Sequence, residues 1–218
     1  MWNGPVDGRG PREAQMSGRD RIGAIVLAAG RSERMGQAKQ LLRLQGRSLL
    51  AHSLASVLRT EADPVVLVLG FAAEQIRRET PAELLDKVMI VINASHAGGM
   101  SSSLRAGLAA LGPQADASLI ILADQPFVKP ETMCAMIQAY RESSADIVVP
   151  RYQARRGNPV LLDRAVFPEA MNLKGDMGFR AIFGNHGASL IAVDVDDEGV
   201  VVDIDNREDY ERARRQKG

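Results

Sequence analysis

Seven short apolar runs recur along the chain: Ile22–Ala29, Val65–Leu69, Val88–Ile92, Ser118–Ala123, Ile147–Val149, Pro159–Leu162 and Leu190–Val195. Each is rich in Val, Ile or Leu without strict alternation, the pattern of strands covered on both faces in a parallel sheet. Between them the apolar spacing becomes helical. In Ser48–Thr60, the residues Leu50, Leu54, Val57 and Leu58 form one stripe of a helix. Ser101-Ser102-Ser103 opens a second helix carrying Leu104, Leu108 and Leu111, with a serine available to cap its free N–H groups. Pro130 starts a third, whose inward face is Met133, Met136, Ile137 and Tyr140, the methionines serving as core filler. Asn206 precedes a fourth, with Glu208 and Asp209 in the first turn, where the helix dipole favours negative charge. Strands alternating with helices predict an α/β fold, a Rossmann-like three-layer sandwich with a mainly parallel sheet. In such folds ligands sit beyond the carboxyl ends of the strands.

Length and composition narrow the class. With 218 residues, and neither an internal repeat nor a break in composition, the expectation is one domain over 21–218 behind a lead-in over 1–20. The lead-in is rich in Gly, Pro and charge and lacks the apolar middle of a signal peptide; Met16 offers a second start. Lys plus Arg and Asp plus Glu both number 27, so neither a nucleic acid nor a membrane surface is an expected partner. No apolar run approaches the roughly 20 residues that span a bilayer, and a cytoplasmic location is expected. The one cysteine, Cys134, excludes an internal disulfide and a cysteine metal cluster. On the third helix it is expected to be a buried thiol.

The candidate chemistry stands at the ends of the apolar runs. After the first comes Leu27-Ala28-Ala29-Gly30, then Arg31, Arg34 and Lys39. The spacing fits neither a Walker loop, since Gly30 and Gly36 stand one residue too far apart, nor GxGxxG. Small residues let a nucleoside lie against the backbone while cations reach its phosphates. Asp124, directly after Ile120-Ile121-Leu122-Ala123, should emerge at a strand's carboxyl end and can ligate a hard cation such as Mg²⁺; a turn aspartate is the alternative. In Asp203-Ile204-Asp205 one carboxylate is expected to face the site, and Asp205, next to the helix start, is the better ligand. Arg156-Gly157-Asn158 and Gly175-Asp176 combine glycine with polar groups, as an anionic second substrate or an ordinary surface turn would. His52 reads as structural, His186 as a loop residue, and His96 as a candidate pocket wall without an acid partner.

Taken together, LAAGRSERMGQAK, GGMSSSLRAGL, LADQP, RGNP, GDMGFR and DIDNRED occur in the order seen in the molybdenum cofactor cytidylyltransferase family, which this chain resembles from Ile22 to the last helix. The resemblance implies a glycosyltransferase-A-like nucleotidyltransferase fold. It further implies a Mg²⁺-dependent transfer of CMP from CTP to the phosphate of a molybdopterin-type cofactor. A recipient molybdoenzyme is left open as a further partner. Leu27, Ala28, Ala29, Gly30 and Arg31 match nucleotide-binding positions, and Gly98, Gly99 and Ser103 a region near the base. Lys39, Arg34 and Asp124 match catalytic positions, with Asp124 and Asp205 as the metal pair. Arg156, Gly157, Asn158, Gly175 and Asp176 would face the pterin phosphate. The double alanine is similar to cytidine-using members, whereas guanylyl-transferring ones usually carry Ala-Gly-Gly. Guanylyl transfer, a sugar- or polyol-phosphate acceptor, and a non-catalytic cofactor chaperone are the alternatives.

Overall fold

In the computed structural model, which describes residues 20–30, 37–113, 115–176, 180–184, 186 and 189–216, the first apolar run forms β1 (Ile22–Ala28), buried along its whole length. Its side chains alternate between two cores. Ile22, Ala24, Val26 and Ala28 enter one, Ile25 and Leu27 the other, as a period of two requires of a central strand. There follow β2 (Arg43–Leu44), β3 (Arg47–Ser48), α1 (Leu49–Val57), β4 (Val65–Leu69), α2 (Ala73–Glu79), α3 (Ala82–Leu85) and β5 (Met89–Ile92). The second half runs α4 (Met100–Leu111), β6 (Ala117–Leu122), α5 (Pro130–Glu142), β7 (Ile147–Tyr152), β8 (Arg155–Arg156) and β9 (Val160–Asp163). It closes with α6 (Phe167–Met171), α7 (Arg180–Phe183), β10 (Leu190–Asp194) and α8 (Arg207–Gln216).

The main sheet has the order β10-β7-β9-β6-β1-β4-β5, with β8 paired on β7. β1 is parallel to β4 and β6, β4 to β5, and β7 to β10, whereas β9 lies antiparallel between β6 and β7. One face is covered by α1, α2 and α5 through Leu54, Ile76 and Met136 among others, the opposite face by α4, α6 and α7 through Leu104, Ala170 and Ile182. The three-layer α/β expectation therefore holds. From β1 the chain runs outward to β4 and β5, then returns to place β6 on the other side of β1. The crevice between the carboxyl ends of β1 and β6 is thus a topological switch point, where open α/β sheets hold ligands.

Two expectations change. Cys134 is exposed, because the inward stripe of α5 is Met133, Met136, Ile137 and Tyr140, and position 134 falls beside it. Shielding, with Glu61 and Glu131 nearby, pushes its thiol above the ordinary value, so it is not an activated nucleophile. No serine hydroxyl caps α4 among the described residues: the helix starts at Met100, and the Asp176 carboxylate accepts its N–H at 3.0 Å. Among the described residues no helix is long and apolar enough to cross a membrane.

His186 joins two elements. Its Nε2 meets Glu169 of α6 at 2.8 Å and its Nδ1 lies 3.5 Å from Asp146, just before β7. The Glu169 hydrogen bond, outweighing partial shielding, raises the imidazole above its ordinary value. A value raised by folding adds stability that is complete below the unfolded pKa of about 6.5 and fades as pH rises through the folded value. His186→Gln should therefore melt below the wild type near pH 6, by a gap that narrows as pH rises through the folded value. Melts showing a gap independent of pH would reject this ion-pair account.

Candidate active site

The site grows from the end of β1. Beyond Ala28 the backbone carries only Ala29 and Gly30 before the cationic stretch. Its neighbours are trimmed to match: a Cβ on Gly70, after β4, would lie 2.6 Å from the His96 Cβ and 2.9 Å from the Ala29 Cβ. Opposite, β6 delivers Asp124 two residues past Leu122, with the Ala123 N–H donating to the Leu27 carbonyl at 3.2 Å.

The third wall comes from the chain's far end. Ile204 is fully buried with Leu44, Leu49 and Ala213, while its N–H donates to the Asp124 carbonyl at 3.0 Å. Burying the isoleucine turns its two acidic neighbours away from that cluster. Asp203 accepts from Gln125 Nε2 at 2.7 Å, and Asp205 faces the cleft. Asn206 Oδ1 accepts from the Asp209 N–H at 3.0 Å while Asp209 Oδ2 accepts from the Asn206 N–H at 3.3 Å. This reciprocal cap fixes the start of α8 directly behind Asp205.

Lys39 joins the walls. From a 3-10 turn over Lys39–Leu41, its Nζ donates to Asp124 Oδ2 at 2.7 Å and Asp205 Oδ1 at 2.9 Å, partners 85 and 166 positions away. Burial works against the lysine charge, but the carboxylates, Asp124 foremost, outweigh it and hold the ammonium above its usual value. Partial shielding and the Asp124 charge lift the Asp203 carboxyl above the ordinary carboxylate range, against the Gln125 hydrogen bond. The neighbouring Gln40, which sequence reasoning passed over, is buried and donates from Nε2 to the carbonyls of Ala28 at 3.0 Å and Gly30 at 3.1 Å. A lone glutamine in a short turn carries no sequence signal for that contact.

These elements enclose a cleft of about 450 Å³, a common size for a small-molecule site. Leu27, Ala29, Gly30, Lys39, Asp124 and Asp205 line it with His96, Gly99, Ser103 and Asp176. Ser103, at the start of α4, accepts from Asn93 Nδ2 at 3.1 Å. Gly99 has φ +82°, and a Cβ there would sit 2.5 Å from the Gly175 carbonyl carbon and 2.6 Å from Asp176 Oδ1. The Gly175-Asp176 turn therefore closes directly over the helix start, and Asp176 caps α4 while lining the cleft.

Other expected residues lie differently. Ala28 does not line the cleft: its side chain points into the core and its carbonyl accepts from Gln40. Gly98 precedes the lining glycine without being part of the wall. Arg156, Gly157 and Asn158 do not line this cleft. Arg156 sits exposed on β8, and the other two pack on the 198–201 turn: the Asn158 N–H donates to the Val200 carbonyl at 2.9 Å, and Gly157 leaves no room there for a Cβ. Arg31 and Arg34 lie outside the described residues.

The carboxylate pair fits a divalent ion. The ammonium of Lys39 already stands as a cation between Asp124 and Asp205, and Asp124 Oδ1 is buried with no hydrogen-bond partner among the described residues. No group of three or more His, Cys, Asp or Glu side chains is arranged for a metal among those residues. Two carboxylates are what Mg²⁺ usually takes from a protein when substrate phosphates and water supply the rest.

Comparison with known proteins agrees with this fold. Residues 24–190 match the MobA-like NTP transferase domain. The chain is 31% identical to the purine catabolism protein PucB of Bacillus subtilis over 201 residues, 88% of this chain and 95% of that one. It is 23% identical to the molybdenum cofactor cytidylyltransferase of Escherichia coli, across 88% of this chain and 95% of that one. The crystal structure of Rv0371C from Mycobacterium tuberculosis in complex with manganese superposes with a TM-score of 0.75 at 32% identity, covering 90% of this chain and 99% of that one.

Proposed function

The chain belongs to the MobA-like NTP transferase domain family and is a nucleotidyltransferase, and from that premise we propose that it transfers CMP from CTP to the phosphate of a molybdopterin-type cofactor. The observation that carries this reading is the Lys39 bridge between Asp124 and Asp205, set against the Gly30 turn at the switch point of the sheet. The cytidine choice draws on the Ala28-Ala29 pair and, with the acceptor, on the likeness to the Escherichia coli cytidylyltransferase across nearly its whole length.

In the reaction an acceptor phosphate oxygen attacks the α-phosphorus of CTP, the bond from that phosphorus to the β-phosphate oxygen breaks, and pyrophosphate leaves. A phosphate monoester is already nucleophilic at neutral pH, so no general base is required. The chain's work is to align two anions and offset their repulsion. Lys39 brings a permanent positive charge to the phosphate end of the cleft. Gly30 leaves the backbone open to close approach by phosphate, and Arg31 and Arg34 are assigned to the triphosphate on sequence grounds. Gly98, Gly99 and Ser103, on the β5 side away from Asp124, are assigned to the base. Asp176, which lines the cleft, and the adjoining Gly175 are assigned to the acceptor side, whereas Arg156, Gly157 and Asn158 stand outside the cleft. Asp124 and Asp205 would hold Mg²⁺, which when bound supplies Lewis-acid neutralisation of phosphate charge.

Pyrophosphate release, measured for each nucleoside triphosphate with molybdopterin as acceptor, tests the proposal. CTP is expected to support the fastest release, and only with acceptor and divalent metal both present. Faster release from GTP, or release only with a sugar phosphate, would move the chain to another member activity of the family. Tight CTP binding without any product would point to a carrier instead.

A further inference from the structure

The strand end that forms the nucleotide turn has an unusual hydrogen-bond account. Four successive carbonyls, from Leu27 to Gly30, all find donors within the protein. Leu27 accepts from the Ala123 N–H on the β6 side at 3.2 Å and Ala29 from the Phe71 N–H on the β4 side at 3.3 Å. The remaining two, Ala28 and Gly30, both accept from Gln40 Nε2, at 3.0 and 3.1 Å. Gln40 is only 3% exposed, so this amide cannot be replaced by water without opening the turn. The residue before it, Lys39, is the one that reaches Asp124 and Asp205.

We propose that Gln40 is a positioning residue for the triphosphate-binding turn. Its single amide group pulls the Ala28 and Gly30 carbonyls to the protein side and thereby holds the turn in its nucleotide-receiving shape. In a trans peptide the N–H points opposite to the C=O, so anchoring the Ala28 carbonyl on Gln40 directs the Ala29 N–H away from it. Adjacency to Lys39 adds a second constraint. One short 3-10 turn sends one side chain to the carboxylate pair and the next to the Ala28 and Gly30 carbonyls, which sets the spacing between the two halves of the site. Gln40 acts through the backbone and not by touching the reacting atoms. The proposal rests on the reading that a nucleoside triphosphate lies on this turn.

The test uses the full chain with Gln40→Leu, which keeps most of the volume but has no donor, and Gln40→Glu, which places a carboxylate against two carbonyl oxygens. CTP affinity is measured by calorimetry with Mg²⁺, and KM is measured separately for nucleotide and for molybdopterin. Thermal melts establish folding. The expected result for Leu is about a tenfold weaker CTP affinity, which corresponds to one ordinary hydrogen bond. The Glu variant should lose more, because repulsion replaces the missing bond. KM for the nucleotide should rise in step, with the acceptor KM staying within about twofold, a split that general loss of structure would not produce. A folded variant of either kind with CTP affinity within twofold of wild type overturns the assignment, as does an equal rise in both KM values. If neither variant folds, Gln40 is a stability residue and the assignment is equally lost. A wild-type chain that binds GTP but not CTP would fail the cytidine reading alone, and the same comparison then runs with GTP.

Discussion

Lys39→Ala is expected to lower turnover by roughly two to three decades with both substrates saturating, the usual cost of removing one fixed electrostatic donor from a water-poor site. The structural reason is specific. The side chain is only 15% exposed, its ammonium is held charged by Asp124 and Asp205, and no general base shares the work in the proposed reaction. Removing it subtracts a positive charge where two anions must meet and leaves two carboxylates without their common counter-charge. The variant should therefore melt below the wild type in chelator, and added Mn²⁺ should narrow that difference by supplying the missing charge. Steady-state pyrophosphate release and paired melts check both parts. Full turnover at saturating acceptor would show that the charge on Lys39 is not used in the chemistry.

The larger effect belongs to Asp124. Asp124→Asn preserves shape, and it keeps the backbone carbonyl that accepts from the Ile204 N–H, so Asp205 stays where it is. What it loses is the charge facing Lys39 and half of the pair proposed to hold the metal. Metal-dependent catalysis of phosphoryl chemistry commonly carries several kcal/mol, and about 4 kcal/mol is three decades in rate. Turnover should accordingly drop by about three decades or more, with the dependence on Mg²⁺ concentration flattened. Titrating Mg²⁺ and Mn²⁺ into both proteins while following pyrophosphate decides the point. Unchanged activity, or activity that returns in chelator, would remove Asp124 from the metal site.

The strands were legible because each apolar run is long enough to be recognised and too continuous for a surface hairpin. The direction of β9 was not, since Val160-Leu161-Leu162 reads the same whichever way it runs. The position of Cys134 could have been read: the stripe Met133, Met136, Ile137, Tyr140 already leaves it outside. The capping of α4 could not, because its acceptor, Asp176, is 76 residues away, while three local serines offered a nearer candidate. Arg156-Gly157-Asn158 illustrates the converse. Its glycine answers to the Val200 backbone, a contact that no composition of the loop announces.

By itself the sequence determined the alternation of strands and helices, the small-residue turn after β1, and an aspartate at the end of a buried strand. All are local consequences of periodicity and side-chain size, expressed over a few consecutive residues. Only the tertiary structure decided that Lys39 joins Asp124 to Asp205, that Gln40 holds the turn beside them, and that Ile204 anchors the tail which carries Asp205. Those contacts depend on strand order and on how distant segments bury their apolar residues together, and neither is written in the spacing of any one segment.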